Sequence, residues 1–144
     1  MSRHEIPAKK PHHTCFVGYD AGLRTFFAQV EDTLIQRAAM EAADRVADDY
    51  SHGREPTDED AAACERDAIV FWLGADAVGE VPSVEMLVEQ LRPYAEIASA
   101  LVETLRADQR QAEARSTTAH RAAMQEYVTA GVERVAPVVS EANN

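Results

Sequence analysis

The chain has 144 residues, 46% of them hydrophobic and 27% charged, a size and balance that suit one hydrophobic core and exclude a wholly disordered, collagen-like or fibrous polypeptide. Fourteen Lys and Arg face 25 Asp and Glu, a formal net charge of −11, which repels nucleic acid and anionic lipid and favours a basic protein partner. No apolar run reaches the roughly eighteen residues of a membrane span, and the first residues lack the apolar core of a signal peptide, so the expected location is cytoplasmic.

Residues 1–13 hold Pro7, Pro11, three histidines and both lysines of the chain, with Ile6 as the one large aliphatic residue after Met1; they read as a flexible arm. From Thr14 to Tyr19 and from Leu23 to Val30 the chain is rich in β-branched and aromatic residues. Asp20-Ala21-Gly22 between them signals a turn, so a β-hairpin is expected. Alternation places Phe16, Phe26, Ala28 and Val30 on one face and Val17, Tyr19 and Phe27 on the other.

Residues 33–50 predict a helix whose inward stripe is Ile35, Ala39, Ala42, Val46 and Tyr50. Gly53 and Pro56 end it, and Asp58, Glu59 and Asp60 suit the start of a short helix, where backbone N–H groups favour negative charge. The apolar run 68–74 reads as the central strand of the sheet. Ser83 is placed to cap a helix from Val84 with Met86, Leu87 and Leu91 inward, and Pro93 stops or kinks it. Tyr94, Ile97, Ala98, Leu101, Val102 and Leu105 then repeat at helical spacing. Residues 106–123 carry no large apolar side chain, and Met124, Tyr127, Val128, Val132 and Val135 form a second stripe. A break near Ser116-Thr117-Thr118, folding the chain into a helical hairpin, is the favoured arrangement.

The expected architecture is thus α+β: a three-stranded antiparallel sheet packed by helices, with an arm at 1–13, a core domain at 14–105 and a helical C-terminal extension at 106–144. No phosphate-binding glycine loop, paired Cys-x-x-Cys, His-Glu-x-x-His or nucleophile elbow is present. No catalytic residue, cofactor or metal ligand set is therefore assigned. His13 and Cys15 point one way in an extended strand, but one ligand pair is half of what structural zinc sites display. An enzyme would require Tyr19, Asp20 and Arg24 to meet near Trp72 in a pocket. Trp72, Phe71, Phe26 and Phe27 are read as core aromatics rather than as a base-stacking platform, because the surrounding charge is acidic.

The acidic residues concentrate in the middle of the chain. Asp44, Asp48, Asp49, Asp58, Glu59 and Asp60 are the candidate partner-binding group, able to imitate a phosphate backbone toward a basic groove. Met124, Tyr127, Val128, Val132 and Val135 are the candidate dimer or partner helix. Arg106, Arg110, Arg115 and Arg121 on the same segment offer DNA contacts to an adaptor that dimerises there.

The run Phe16-Val17-Gly18-Tyr19-Asp20, with Leu23, Thr25-Phe26-Phe27-Ala28-Gln29-Val30, Trp72-Leu73-Gly74 and Glu80-Val81-Pro82, resembles small proteins carried on bacterial plasmids and integrative elements. That family has no assigned activity, so no site residue is carried over. The resemblance implies a mobile-element protein that acts by binding, and the expected function is non-enzymatic: an acidic inhibitor of a host nucleic-acid-binding or CRISPR-type defence complex. The alternative is a plasmid-maintenance or regulatory adaptor, a homodimer through its C-terminal helix.

Overall fold

The computed structural model describes the backbone of residues 1–142 and side-chain environments through residue 130. Its elements run β1 (His4–Pro7), β2 (His13–Asp20), β3 (Thr25–Asp32), α1 (Thr33–Ser51), α2 (Asp58–Glu65), β4 (Ile69–Leu73), α3 (Val84–Leu91) and α4 (Ser99–Ala142). By contacts, the chain divides into two compact units, residues 1–106 and residues 107 onward.

The β2–β3 hairpin turns where Asp20 folds back: its Oδ1 accepts from the backbone N–H of Gly22 at 2.9 Å and of Leu23 at 3.1 Å, the local bond that makes Asp a turn former. The strands pair antiparallel with Cys15 opposite Val30, Val17 opposite Ala28 and Tyr19 opposite Phe26. Each pair joins an odd position to an even one, so Cys15, Val17 and Tyr19 share a face with Phe26, Ala28 and Val30. All six are buried. This corrects the face assignment expected from alternation alone, because positional parity does not carry across a turn; the turn length sets which parities meet.

The sheet has four strands in the order β1-β2-β3-β4, not three. The added strand lies within the residues read as an arm: Ile6 pairs with Cys15 and is buried beside it, and Pro7 is tolerated because it closes an edge strand. Ahead of β1, Ser2 and Tyr19 exchange bonds, Ser2 N–H to Tyr19 O at 3.1 Å and Tyr19 N–H to Ser2 Oγ at 3.0 Å. Residues 69–73 form an edge strand and not the central one. Its apolar sequence arises from one side packing inward, where Phe71 pairs with Val30 and Leu73 with Ala28. Trp72 stands on the opposite face, 56% exposed, so it is not the core aromatic expected of it.

Helices cover the buried face. Asp32 caps α1 by accepting from Leu34 and Ile35 N–H, and Ala42 is buried with Ile35, Ala39 and Val46 half-buried beside it. Tyr50 is exposed. A step of four residues overshoots a helical turn by about 40°, which rotates Tyr50 out and leaves Asp49 half-buried in its place. Ser83 caps α3 through Met86 N–H at 3.3 Å. Val84, Leu87 and Leu91 are its buried residues, whereas Met86 lies about 100° around the helix from Leu87 and is exposed.

Two latches hold the chain between β4 and α3 against β3. Phe26 N–H donates to Val81 O at 2.9 Å. The fully buried Thr25 hydroxyl accepts from Val81 N–H at 2.8 Å and donates to Phe26 O at 2.9 Å. Gly74 makes the approach possible: its φ is +79°, and a Cβ there would overlap the Phe26 carbonyl oxygen.

Pro93 ends α3, and the helix expected from Tyr94 begins instead at Ser99. The intervening residues pack rather than coil: the Tyr94 ring stacks on Phe71 at 4.5 Å, and Ala95 is buried. Lys9 joins this region to the β1–β2 connection through its N–H to Tyr94 O at 2.8 Å and its Nζ to Arg92 O. α4 continues through Ser116–Thr118 without the expected break. Thr117 and Thr118 donate their hydroxyls to Glu113 O and Ala114 O one turn earlier, so groups that compete with a helix elsewhere are satisfied inside this one.

Two outcomes follow. Gly74→Ala forces a Cβ into left-handed backbone at a cost of about 1–2 kcal/mol before any clash is counted, and lowers the denaturant midpoint more than Gly53→Ala, where nothing lies within 4 Å. Burial pushes the Cys15 thiol up to about 11 from 9.0; the folded state keeps that proton while the unfolded chain releases it, so stability falls as pH rises from 9 toward 11. Denaturant titrations of wild type and Cys15→Ala across that range measure the difference.

Candidate protein-interaction surface

The α1–α2 pair is a short helical hairpin, closed by a loop through Gly53 at φ +70°. Its two helices are tied by Arg45, whose Nη2 lies 2.9 Å from Asp60 Oδ1 and whose Nε donates to the same oxygen at 3.0 Å. This bond holds the Asp60 carboxyl below its ordinary range and raises the Arg45 guanidinium. Thr57 caps α2 by accepting from Asp60 N–H. Arg54, just past the turn, reaches Asp49 at 3.2 Å and Asp48 at 3.4 Å, closing the other end.

The six carboxylates therefore divide. Asp48, Asp49 and Asp60 are in ion pairs within the hairpin, with Asp49 and Asp60 side chains 22% and 16% exposed. Asp44, Asp58 and Glu59 are exposed and make no ion pair among the described residues. Asp44 and Asp48 stand one turn apart on α1, and Asp58 and Glu59 occupy the first turn of α2, whose backbone N–H groups favour them there. The structure thus brings all six onto one helical hairpin, three as its fasteners and three as its open charge. Sequence reading grouped them by proximity and missed the fasteners, because Arg45 and Arg54 lie within the same acidic run and only tertiary pairing selects their partners.

On α4, Met124, Tyr127 and Val128 are 49%, 76% and 54% exposed. Val132 and Val135 lie outside the residues whose side chains are described. Arg106 is engaged by Glu85 and Glu103. Arg110, Arg115 and Arg121 are exposed, and of these Arg110 and Arg121, eleven residues or about three turns apart, share a helix face.

The other arrangements weighed from sequence do not assemble. Tyr19 is buried in edge-to-face contact with Phe26 at 5.0 Å, on the sheet face opposite Trp72, so Tyr19, Asp20, Arg24 and Trp72 do not line one pocket. Among the described residues no group of three or more His, Cys, Asp or Glu is placed to hold a metal, and Cys15 and Cys64 are free thiols. Two surface cavities, of about 390 Å³ beside Glu5, Ile6, Pro7, His13 and Thr14 and about 220 Å³ beside Val88, Arg92, Ala95, Glu96 and Ile97, each hold two titratable residues. No helix among the described residues is long and apolar enough to cross a membrane.

Compared with known proteins, the chain matches no family model, no curated protein and no solved structure.

The Arg45–Asp60 bond predicts a pH response. A carboxylate whose folded pKa is depressed supports the fold above the unfolded value, about 3.9 for Asp, and that support is lost as pH falls through the lower folded value. In Arg45→Gln the Asp60 carboxyl titrates at higher pH, read by NMR, and the acid limb of the unfolding curve becomes shallower. An unchanged Asp60 titration would mean that Arg45 does not hold it in solution.

Proposed function

We propose that this chain is a cytoplasmic, non-enzymatic interaction protein that presents its α1–α2 hairpin to a basic protein surface of the kind that binds nucleic acid, acting as a competitive inhibitor. One observation carries the reading: the hairpin is fastened by its own ion pairs and still leaves Asp44, Asp58 and Glu59 open to solvent. Carboxylates held on a rigid support meet a basic groove without first paying the entropy of ordering, and they steer encounter through long-range attraction. The narrower form, an inhibitor encoded by a mobile element and directed at a CRISPR-type defence complex, rests on the resemblance of the strand and turn residues.

A second reading has its own observation in the exposed Met124, Tyr127 and Val128: an adaptor that dimerises through α4 and touches DNA with Arg110 and Arg121. Sedimentation of wild type beside Tyr127→Glu separates the two, since a loss of mass in the variant belongs to the adaptor alone.

The first reading is tested with the tagged chain as bait in host lysate, beside D44N/D58N/E59Q, which leaves every ion pair of the hairpin intact. Wild type is expected to retain a basic nucleic-acid-handling complex, release it as salt is raised, and lower that complex's affinity for its nucleic acid; the triple variant retains less. Equal retention by both proteins removes the hairpin from the interface.

A further inference from the structure

The sheet has two edges, and they differ in chemistry. β1 is four residues long, carries Glu5, closes on Pro7 and is followed by Lys9 and Lys10, the short, charged and proline-bearing form that blocks pairing with another chain. β4 carries neither of the last two guards, since every residue from Ala68 to Ala75 is uncharged and none is proline. We propose that the outer edge of β4 is a docking site for an extended basic segment of a partner protein, which adds to the sheet as a fifth strand.

The backbone points to the same edge. Phe26 and Asp32 donate their N–H groups toward the β4 side of β3, to Val81 O at 2.9 Å and Ala68 O at 2.7 Å. Alternation along β3 then makes Ala28–Leu73 and Val30–Phe71 the hydrogen-bonded pairs and Gln29–Trp72 the pair between them. The N–H and C=O of Trp72 accordingly point away from β3, and β3 is the only strand beside β4 among the described residues. The Trp72 side chain is 56% exposed, on the face where its row continues through Gln29 to Phe16. One residue thus offers an unpaired donor, an unpaired acceptor and a large apolar surface, the combination used in strand addition.

Charge selects the occupant. Asp67 precedes the strand and Asp76 follows it, Glu31 pairs with Ile69 at its lower end, and Arg66 is the one cation adjoining it in sequence. A second copy, paired antiparallel about Phe71, would set Arg66 of each chain opposite Asp76 of the other and Asp67 opposite Ala75, so that each end holds two carboxylates against one cation and keeps a negative excess. A strand with Lys or Arg at its ends meets attraction at the same places. The register shift at Val30–Glu31 leaves Val70 as the extra residue of β4, 46% exposed; such a bulge bends the ladder and confines the flat stretch to Phe71–Leu73. The site therefore suits a short segment, distinct from the α1–α2 surface.

Trp72 is the single Trp of the chain, so its fluorescence reports on this edge directly. The full chain is titrated with the peptide Lys-Lys-Val-Thr-Val-Thr-Val-Lys-Lys, with the same peptide carrying Glu for Lys, and with the Lys peptide N-methylated at alternate residues to block strand pairing. The expected result is a saturable blue shift and about tenfold slower exchange of the Trp72 amide with the Lys peptide only, weakened by D67N/D76N. The proposal is overturned by an equal response to the Glu or N-methylated peptide, by no response to the Lys peptide, or by Trp72 amide protection in the chain alone. Protection that grows with protein concentration would assign the edge to a second copy instead.

Discussion

The register of the β2–β3 hairpin is the constraint on which the first unit of this protein depends. Cys15, Val17 and Tyr19 meet Val30, Ala28 and Phe26 across it, and a slip of one residue would turn Phe16, Gly18 and Gln29 toward the helices instead. Asp20 secures the register by folding its carboxylate onto the turn. The other side has its own lock at Gly18, where a Cβ would overlap the Ser2 carbonyl oxygen and approach the Phe27 ring within 2.7 Å. With the register set, β1 and β4 find their places by burying Ile6, Phe71 and Leu73, and α3 follows because Val81 is bonded to Phe26 and Thr25.

Charge is organised around this framework rather than within it. The core residues are apolar apart from Thr25, and the acidic excess lies on the helical hairpin and the connections. Arginine settles which carboxylates become structure: Arg45 takes Asp60, Arg54 takes Asp48 and Asp49, and Arg106 takes Glu85 and Glu103. Exposed pairs of this kind contribute little to stability individually. Their effect is positional, since they fix helix ends and leave the remaining carboxylates oriented outward.

Much of the candidate surface was legible in the chain. The helix start at Ser83 follows from its capping side chain, the helices over 33–50 and from Asp58 follow from spacing and composition, and the clustering of Asp44 to Asp60 follows from two helices joined by a short turn at Gly53. The division of those carboxylates was not legible, because Arg45 has Glu41 and Asp49 one turn away on its own helix and bonds Asp60 fifteen residues on. Trp72 shows the same limit from the other direction. An apolar pentapeptide reads as buried on both faces, and nothing in Ile-Val-Phe-Trp-Leu says that a strand will have one neighbour instead of two. On α4, Ser116, Thr117 and Thr118 resemble a break in composition, yet their hydroxyls have carbonyl acceptors one turn back whenever the flanking residues are strong helix formers.

What the sequence determined by itself is local: the hairpin turn, the capped helices, the stop at Pro93, the α+β class, and an acidic excess that must reside on a surface. These depend on bonds and sterics within a few residues of one another, which composition and spacing express. Only the tertiary structure decided which strand lies at the edge, that residues 4–7 join the sheet, which parity of β2 faces the core, and which carboxylates are left open. Those outcomes depend on pairings between distant segments, where many arrangements satisfy local preference equally and the burial of one apolar face selects among them.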